Sequence, residues 1–471
     1  MTLPKLDPIH FGTDGWRGLI ARDFTFDNLR RTADALARAL PGRSVVAVGY
    51  DHRFLSGEFA RTAAGVLAAR GHRIVLFDRP TTSPALSFSL KALKARAGVM
   101  ITASHNPAGY NGFKIKAPPG RSADLALTSR VESLLEPDLP SLMGGEDFRS
   151  YNPDAGYLAH LLSRREPKCW RRGAGARVVF DAMHGSGGAL GAALWRRLDL
   201  KGEILRAERD PLFGGTAPEP IEKNLAPLAE AVRRSRAAVG IAVDGDGDRL
   251  GAVDERGDYL PPHAVFPIVL RHLVENRRLR GAVVQAVSLG YVSERVAREH
   301  KLPFVEVPVG FKHVADRMAK TRVLWGGEES GGYGVGLWSL ERDGLLAGLL
   351  LVEAVLASGK ALSALRRETA ERFGASSFAR ADLSLKAPVA DKAVWVQTIL
   401  KRIPGKLAGL AVKETRALDG LKIVLTDDSW VLLRPSGTEP LLRTYAESPT
   451  PAVTRALLSK AQEWAGGKTT S

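Results

Sequence analysis

The sequence predicts an α/β protein with more than one core, followed by a separate unit of antiparallel strands. Three observations carry that expectation. The chain has 471 residues, and at roughly 150 residues per domain this length corresponds to about three domains. Apolar strand-like runs alternate with helical patterns over most of it, which argues for helices packed on parallel sheets. After residue 373 the texture changes: LKIVLTDDSWVLLRPSGTEPLLRTYAES (421–448) alternates apolar and polar positions like antiparallel strands with one wet face.

In the first block SVVAVGYD (44–51) reads as a strand, 58–70 as a helix, and HRIVLFD (72–78) and GVMIT (98–102) as further strands. ARVVFDAMHG (176–185), a helix near 188–197 and AAVGIAVDGDGDR (237–249) repeat the pattern. GAVVQAVSLG (281–290), FVEVPVGFKHVADRM (304–318), RVLWGGEESGG (322–332) and an apolar helix at 345–357 make a third block, with a helical stretch at 361–373 behind it. Boundaries are expected near 148–153, 254–262 and 373–378. Glycines opening a helix after VVFDAMHG suggest a dinucleotide fingerprint, but Gly185, Gly187 and Gly191 are spaced one residue too long, so close helix packing is the expectation there.

Hydrophobic residues are 45% and charged residues 25%, which excludes a mainly disordered or fibrous chain. The longest apolar stretch, 345–357, contains Glu353 and is shorter than the roughly 20 residues of a membrane-spanning helix. No secretory signal pattern opens the chain and Cys169 is the single cysteine, so a cytoplasmic protein without disulfides is expected. The net charge of +16 should attract anions. The densest basic stretch, RREPKCWRRGAGAR (164–177), is interleaved with Pro, Glu and Gly and reads as a solvated linker face rather than a nucleic-acid surface. A small phosphorylated substrate would use the same field.

The strongest local signal is IAVDGDGDR (241–249). Alternate side chains of an extended chain share a face, so Asp244, Asp246 and Asp248 can converge while Gly245 and Gly247 let the backbone curl. Three carboxylates so close call for a cation, and with no His or Cys among them Mg²⁺ suits better than zinc. A calcium EF-hand loop fails because Arg249 stands where that loop needs Gly. In TASHNP (102–107), Ser104 leaves a strand end among small neighbours, exposed as a nucleophile would be, with Lys114 and Lys116 downstream to favour phosphate. Neighbouring side chains in extended chain point apart, so His105 need not be its base. GEESGG (327–332) offers Glu328, Glu329 and Ser330 for sugar hydroxyls. RPSGTEP (434–440) offers the Arg434 guanidinium, the Ser436 and Thr438 hydroxyls and the open backbone of Gly437, the parts of a phosphate cradle.

Taken together and in this order, FGTDGWRG, TASHNP, DGDGDR, GEESGG and RPSGTEP resemble the α-D-phosphohexomutases, the phosphoglucomutase and phosphomannomutase superfamily, from Phe11 to about Tyr445. The resemblance implies four domains around a central cleft: three related α/β domains with mixed sheets, at 1–150 (phosphoserine loop), 151–256 (metal loop) and 257–373 (sugar loop), and a smaller α+β domain at 374–471 (phosphate loop). It implies that Ser104 carries a phosphoryl group and that Asp244, Asp246 and Asp248 hold one Mg²⁺ with a phosphoserine oxygen. Arg17 and Arg249 would support the site, Lys114 and His105 would handle protons or stabilise charge, and Glu328 and Ser330 would hold the sugar. Arg434, Ser436, Gly437 and Thr438 would bind the phosphate that is not reacting. GEESGG resembles the glucose-type loop more than the GEQSGH of phosphoglucosamine mutases. LERDG (340–344), with Arg342, and Lys312 after Gly310 also resemble glucose-type members, whereas Trp338 stands where those commonly carry His. The implied partners are sugar phosphates, with hexose 1,6-bisphosphate as activator and intermediate, and the enzyme would be a monomer or homodimer with neither nucleic acid nor membrane. Reorientation of the intermediate would need the fourth domain to turn about a hinge near 373–378.

Overall fold

A computed structural model describes residues 9–12, 14–136, 148–389, 391–436 and 440–466. It contains four sheets in chain order. In the first, Val45–Tyr50 lies between Arg73–Phe77 and Ala97–Ile101, all parallel, and Arg149–Tyr151 extends it beyond Arg73–Phe77. In the second, Val178–Asp181 lies between Ile204–Leu205 and Val239–Val243, and in the third Ala282–Ala286 lies between Phe304–Val307 and Val323–Gly327, again parallel. The fourth sheet is antiparallel throughout, from Ser377–Ser384 to Lys406–Leu407, and carries the helices Lys392–Leu400 and Pro451–Gly466.

The first three sheets depart from the purely parallel pattern in one consistent way. Each ends its parallel part in a strand that turns straight back as an antiparallel neighbour: Ala97–Ile101 into Tyr110–Ala117, Val239–Val243 into Leu250–Asp254, and Val323–Gly327 into Tyr333–Gly334. A return without a crossover helix has to be antiparallel. Arg149–Tyr151 belongs to the first sheet and Tyr259–Leu260 to the second.

Local chemistry starts the helices where the sequence allows. Thr25, Thr82 and Asp343 accept backbone N–H bonds at the first turns of Phe26–Ala39, Ser83–Leu93 and Gly344–Ser358. The last of these is buried from Gly344 through Val355 and packs against strands of the second sheet and the Pro262–Arg271 helix of the third domain, so it needs no polar face. Its one carboxylate, Glu353, is fully buried and accepts from the Trp170 indole (2.7 Å) and His272 (2.9 Å). That contact corrects the reading of 164–177 as a solvated linker: Pro167–Arg172 is a short helix docked through buried Trp170 and Cys169, with Arg171 and Arg172 exposed. No single helix among the described residues is long and apolar enough to cross a membrane.

The glycines after Val178–Asp181 serve packing. A Cβ on Gly191 would lie 2.1 Å from the Phe180 ring, and one on Gly185 would lie 2.8 Å from the backbone of Gly245. The second of these seats the aspartate loop against its own domain. Between the third and fourth sheets, Glu447 accepts from the Tyr291 amide and the Trp430 indole, Lys422 pairs with Glu306, and Phe378 stacks on His263. The segment proposed as a hinge therefore ends at an aromatic anchor.

Candidate active site

The four motif loops occupy equivalent places. Each joins two adjacent antiparallel strands, TASHNP, DGDGDR and GEESGG at the returns described above, and RPSGTEP between Trp430–Pro435 and Leu441–Ser448. They meet at a cleft of about 440 Å³ whose walls include Asp14, Arg17 and His105 from the first domain, Arg249 from the second, Lys312, Glu328, Ser330 and Arg342 from the third, and Arg434 and Arg443 from the fourth.

Beside the cleft, Ser104, Asp244, Asp246 and Asp248 are all 0% exposed, so the expectation of an exposed Ser104 does not hold: its hydroxyl is turned onto Asp244 and its carbonyl is held by buried Arg53. Ser104 Oγ donates to Asp244 Oδ2 at 2.7 Å. Asp244 Oδ1 accepts the amides of Asp248 and Arg249, which holds the loop closed around its own first carboxylate. The carboxylates converge through this turn, with Gly247 at φ +73°, rather than by alternation along a strand, because the strand ends at Val243. Ser104 also leaves extended geometry. Its φ of +54° is rare for a residue with a Cβ, and it brings Oγ within 3.4 Å of His105 Nδ1, so the expectation that the two side chains diverge does not hold.

One oxygen from each of the three aspartates lies within 4.8 Å of the others. At an effective dielectric constant near 20 such a pair repels by about 3 kcal/mol, so the cluster requires positive charge. Part of it comes from Lys114, expected here for charge or proton handling, and from Arg342, which was expected among the substrate-binding residues. The Lys114 ammonium, 1% exposed, sits 2.7 Å from Asp246, 3.2 Å from Asp248 and 2.7 Å from Asp14, and Arg342 reaches Asp248 at 2.8 Å. Asp246 Oδ1 and Asp248 Oδ1 are nevertheless buried without any hydrogen-bond partner. Two orphaned carboxylate oxygens beside a third carboxylate suit a hard divalent cation, so the triad fits Mg²⁺.

The titration of these groups follows from burial and mutual charge. Burial, then Asp248 and Asp246, raise Asp244 well above the usual carboxylate range. Burial pushes Asp246 the same way, but Lys114 outweighs it and holds Asp246 low. Burial would depress Lys114, yet Asp14, Asp246 and Asp248 raise it, so it is an ammonium and not a base. His105 is held neutral, first by burial and then by Arg249, Arg17 and Arg342.

Arg342 joins the two halves of the cleft, since it pairs with Asp14 and Asp248 on one side and with Glu328 (3.3 Å) on the other. Ser330 donates to Glu328 at 2.8 Å, so these two sugar candidates are neighbours in the wall, and burial raises the Glu328 carboxyl. Lys312 lines the cleft near the start of the Phe311–Lys320 helix. Trp338 lies away from it, with the Arg164 and Arg277 guanidinium groups over its ring. Arg17 donates to the Asn106 side chain at 2.7 Å, and Arg249 lies 3.8 Å from Glu219. Arg434 donates through Nε to Asp419 at 2.7 Å, and the backbone of Ser436 donates to Leu441. Gly437 and Thr438 lie outside the described residues.

Sequence reasoning missed the residues that hold these groups in place. Buried Arg53 donates to the carbonyls of Ser104, Asn106, Pro107 and Tyr110, fixing the TASHNP turn. Asp14 is the acidic hub. Burial alone would raise it, but Lys114, Arg342 and Lys116 hold its carboxyl well below the usual range. Ser83 donates to Asp246 at 2.6 Å, and Arg443 brings a second fourth-domain guanidinium to the wall. Asp14 is the one acidic residue of FGTDGWRG, a signal that a charge reading of that motif would have used. Arg53 and Arg443 carry no local signal.

Four family models match the chain: Phosphoglucomutase/phosphomannomutase alpha/beta/alpha domains I (8–139), II (155–257) and III (261–373), and the C-terminal domain (385–461). A protein of Thermococcus gammatolerans named "Probable phosphoglucosamine mutase" is 30% identical over 96% of this chain and 97% of its own. The crystal structure of a "putative phosphomannomutase" from Thermus thermophilus is 34% identical, with a TM-score of 0.86 over 97% of this chain and 99% of that one. A phosphoglucomutase/phosphomannomutase family protein of Burkholderia thailandensis shares the fold, with a TM-score of 0.81 at 22% identity, over 96% of this chain and 97% of that one. The chain belongs to the α-D-phosphohexomutase superfamily, the phosphoglucomutase/phosphomannomutase family, and is a phosphohexomutase.

Proposed function

We propose that this phosphohexomutase interconverts the 1- and 6-phosphates of a hexose, glucose before the alternatives, through a phosphorylated Ser104. The observation that carries the reading is the strained Ser104 turn, which aims Oγ at Asp244 in a buried aspartate cluster whose chain neighbours His105 and Arg249 line a cleft shared by all four domains. In the first half-reaction the P–O bond to Ser104 Oγ breaks as the phosphoryl group passes to the free hydroxyl of a hexose phosphate, the hydroxyl's proton ends on the freed Ser104 Oγ, and a hexose 1,6-bisphosphate results. After the intermediate turns, its other phosphoryl group returns to Ser104 Oγ. The same bisphosphate, added in trace, would activate enzyme that has lost its phosphate.

Asp244, Asp246 and Asp248 would hold Mg²⁺ with a phosphoserine oxygen, where the ion offsets charge on the transferred group. Lys114, Arg17, Arg249 and Arg342 add fixed positive charge around the same oxygens, which is the main help that a protein can give phosphoryl transfer. His105, close to Oγ and kept neutral by burial and three guanidinium groups, is suited to accept a hydrogen bond rather than to keep a proton, whereas Lys114 stabilises charge. Glu328 and Ser330 would orient the sugar hydroxyls. Arg434, Ser436, Gly437 and Thr438, with Lys312, would bind the phosphate that is not reacting.

Glucose is favoured by the GEESGG loop and by Arg342 and Lys312 at the positions where glucose-type members carry cations. The name of the Thermococcus gammatolerans relative favours a second reading, an aminohexose phosphate whose C2 ammonium would meet the Glu328 and Glu329 carboxylates. The name of the Thermus structure favours a third, mannose phosphate or a dual specificity. A coupled mutase assay on glucose, glucosamine and mannose 1-phosphates, with trace bisphosphate, orders the three. Glucose should give the highest kcat/KM, and a tenfold preference for either rival would replace it.

A further inference from the structure

We infer that Asp419 is the positioning residue of the distal phosphate arm, holding Arg434 so that its two terminal amino groups face the cleft. This rests on the reading of Arg434 as a phosphate ligand and goes beyond it by assigning what orients that ligand.

Asp419 Oδ2 accepts two donors from different domains. One is Arg434 Nε at 2.7 Å, from the neighbouring strand end, and the other is the Val309 amide of the third domain at 3.0 Å. The Arg434 terminal amino groups bond to no described residue, and Arg434 lines the cleft. Nε is thus committed to protein, while the edge that can grip a phosphate with two parallel bonds is left for ligand. Both side chains are close to nine-tenths buried, 13% exposed for Arg434 and 14% for Asp419, so water screens the pair weakly.

The backbone places Asp419 with little freedom. Gly420, next in the chain, has φ +86°, and a Cβ there would lie 2.2 Å from the Leu433 carbonyl and 3.0 Å from Arg434 Cα. Only glycine lets the turn press against the strand that carries Arg434, and that pressure delivers the Asp419 carboxylate to Nε. The second donor matters as much. Val309 precedes Gly310, whose φ of +123° opens the Phe311–Lys320 helix, and Val309, Gly310, Phe311 and Lys312 all line the cleft. One carboxylate therefore sets the spacing between the fourth-domain guanidinium and the third-domain Lys312 segment, two cations suited to one phosphate.

A carboxylate beside a phosphate-binding arginine has an opposing effect, because its charge competes with the ligand. The two effects predict opposite signs on removal. If orientation dominates, Asp419→Ala weakens binding by roughly three- to tenfold, the cost of re-immobilising a rotamer-rich side chain. If charge competition dominates, binding tightens.

The test is calorimetric titration of the full-length chain in a Ser104→Ala background, where no transfer occurs, with glucose, glucosamine and mannose 1-phosphates. Asp419→Ala, Asp419→Asn, Arg434→Ala and the Asp419→Ala/Arg434→Ala pair are compared, with thermal unfolding recorded for each. Asp419→Ala should bind severalfold more weakly, the near-isosteric Asp419→Asn should lie between it and the parent, and the double variant should bind like Arg434→Ala alone. A merely structural Asp419 would instead add its penalty to that of Arg434→Ala, which overturns the inference. Unchanged or tighter binding by Asp419→Asn overturns it as well, and this arm decides if Asp419→Ala does not fold. A parent that binds none of the three sugar phosphates overturns the functional reading together with the inference, whereas a parent that binds with insensitive Asp419 variants overturns the inference alone.

Discussion

The two ends of the cleft are built on different principles. At the Ser104 end every participant is buried and held several times over: three aspartates by backbone amides, Ser83 and Lys114, and the serine loop by four carbonyl contacts to Arg53. At the Arg434 end the Arg434 guanidinium rests on the Asp419 carboxylate, with Arg443 and Lys312 also in the wall, on an antiparallel sheet that meets the third domain through side chains. The difference matches the tasks. On the proposed function, stabilising a transferring phosphoryl group would need charges that do not reorganise, whereas a site accepting either phosphate of a bisphosphate would need a strong, directional contact such as a guanidinium gives.

The comparison can be broken most severely at the first end. Ser104→Ala should lower turnover by orders of magnitude while hexose phosphate still binds at the other end, as read by coupled assay and calorimetry in parallel. Loss of binding together with turnover would mean that the two ends are not separable. Chelation should come next, with activity collapsing in EDTA and returning with Mg²⁺, and full turnover in metal-free buffer would refute the aspartate assignment. Asp246→Ala should likewise be inactive yet folded, because it removes repulsion from a crowded cluster while Lys114 keeps Asp14 and Asp248.

At the second end the expected effects are smaller and graded. Arg434→Ala should raise KM and also lower kcat, since binding energy far from the reacting bond helps position it. Arg434→Lys should recover part of this, because an ammonium restores the charge and not the planar fork. Equal kinetics to wild type with both glucose 1-phosphate and glucose 6-phosphate would remove Arg434 from the site.

The smallest effect concerns the loop between the ends. Asp343, beside Arg342, caps the Gly344–Ser358 helix and accepts from Tyr157, and burial pushes its carboxyl up to about 6. Because this folded value lies above that of the unfolded chain, the native state binds more protons, and stability falls as pH rises from about 4 to about 6. Asp343→Asn keeps the Leu346 amide cap on its one carbonyl oxygen and removes the charge, while its Nδ2 can only donate to Tyr157 Oη, reversing that bond. Its stability relative to wild type should therefore rise across that window in chemical denaturation, and a pH-independent difference would contradict the assignment.

What the sequence made legible follows the same division. The three aspartates lie close together in one motif, and Ser104 and Lys114 in another, and both motifs are chemically conspicuous, so residue types and spacing were enough to single them out. The strand-to-loop placement was also readable, because apolar runs end where the motifs begin. The groups that hold them were not. Arg53, Asp419 and Arg443 are isolated charges that matter only once separate sheets meet, and no local pattern marks them. The positive φ of Ser104 was hidden for a related reason, since the turn is imposed by Arg53 from another part of the chain. The mixed character of the first three sheets came from the family resemblance and not from the apolar runs, because a buried strand reads the same in either direction.

The central claim is that Ser104 Oγ carries the phosphoryl group between the two positions of the sugar. Intact-mass and peptide-mapping measurements on purified enzyme, before and after single-turnover mixing with glucose 1-phosphate, test it most directly. The account predicts one phosphate mapped to Ser104, lost from the protein as hexose 1,6-bisphosphate forms and restored on incubation with excess bisphosphate. Phosphate on any other residue of active enzyme, or turnover by protein that never carries one, would contradict it.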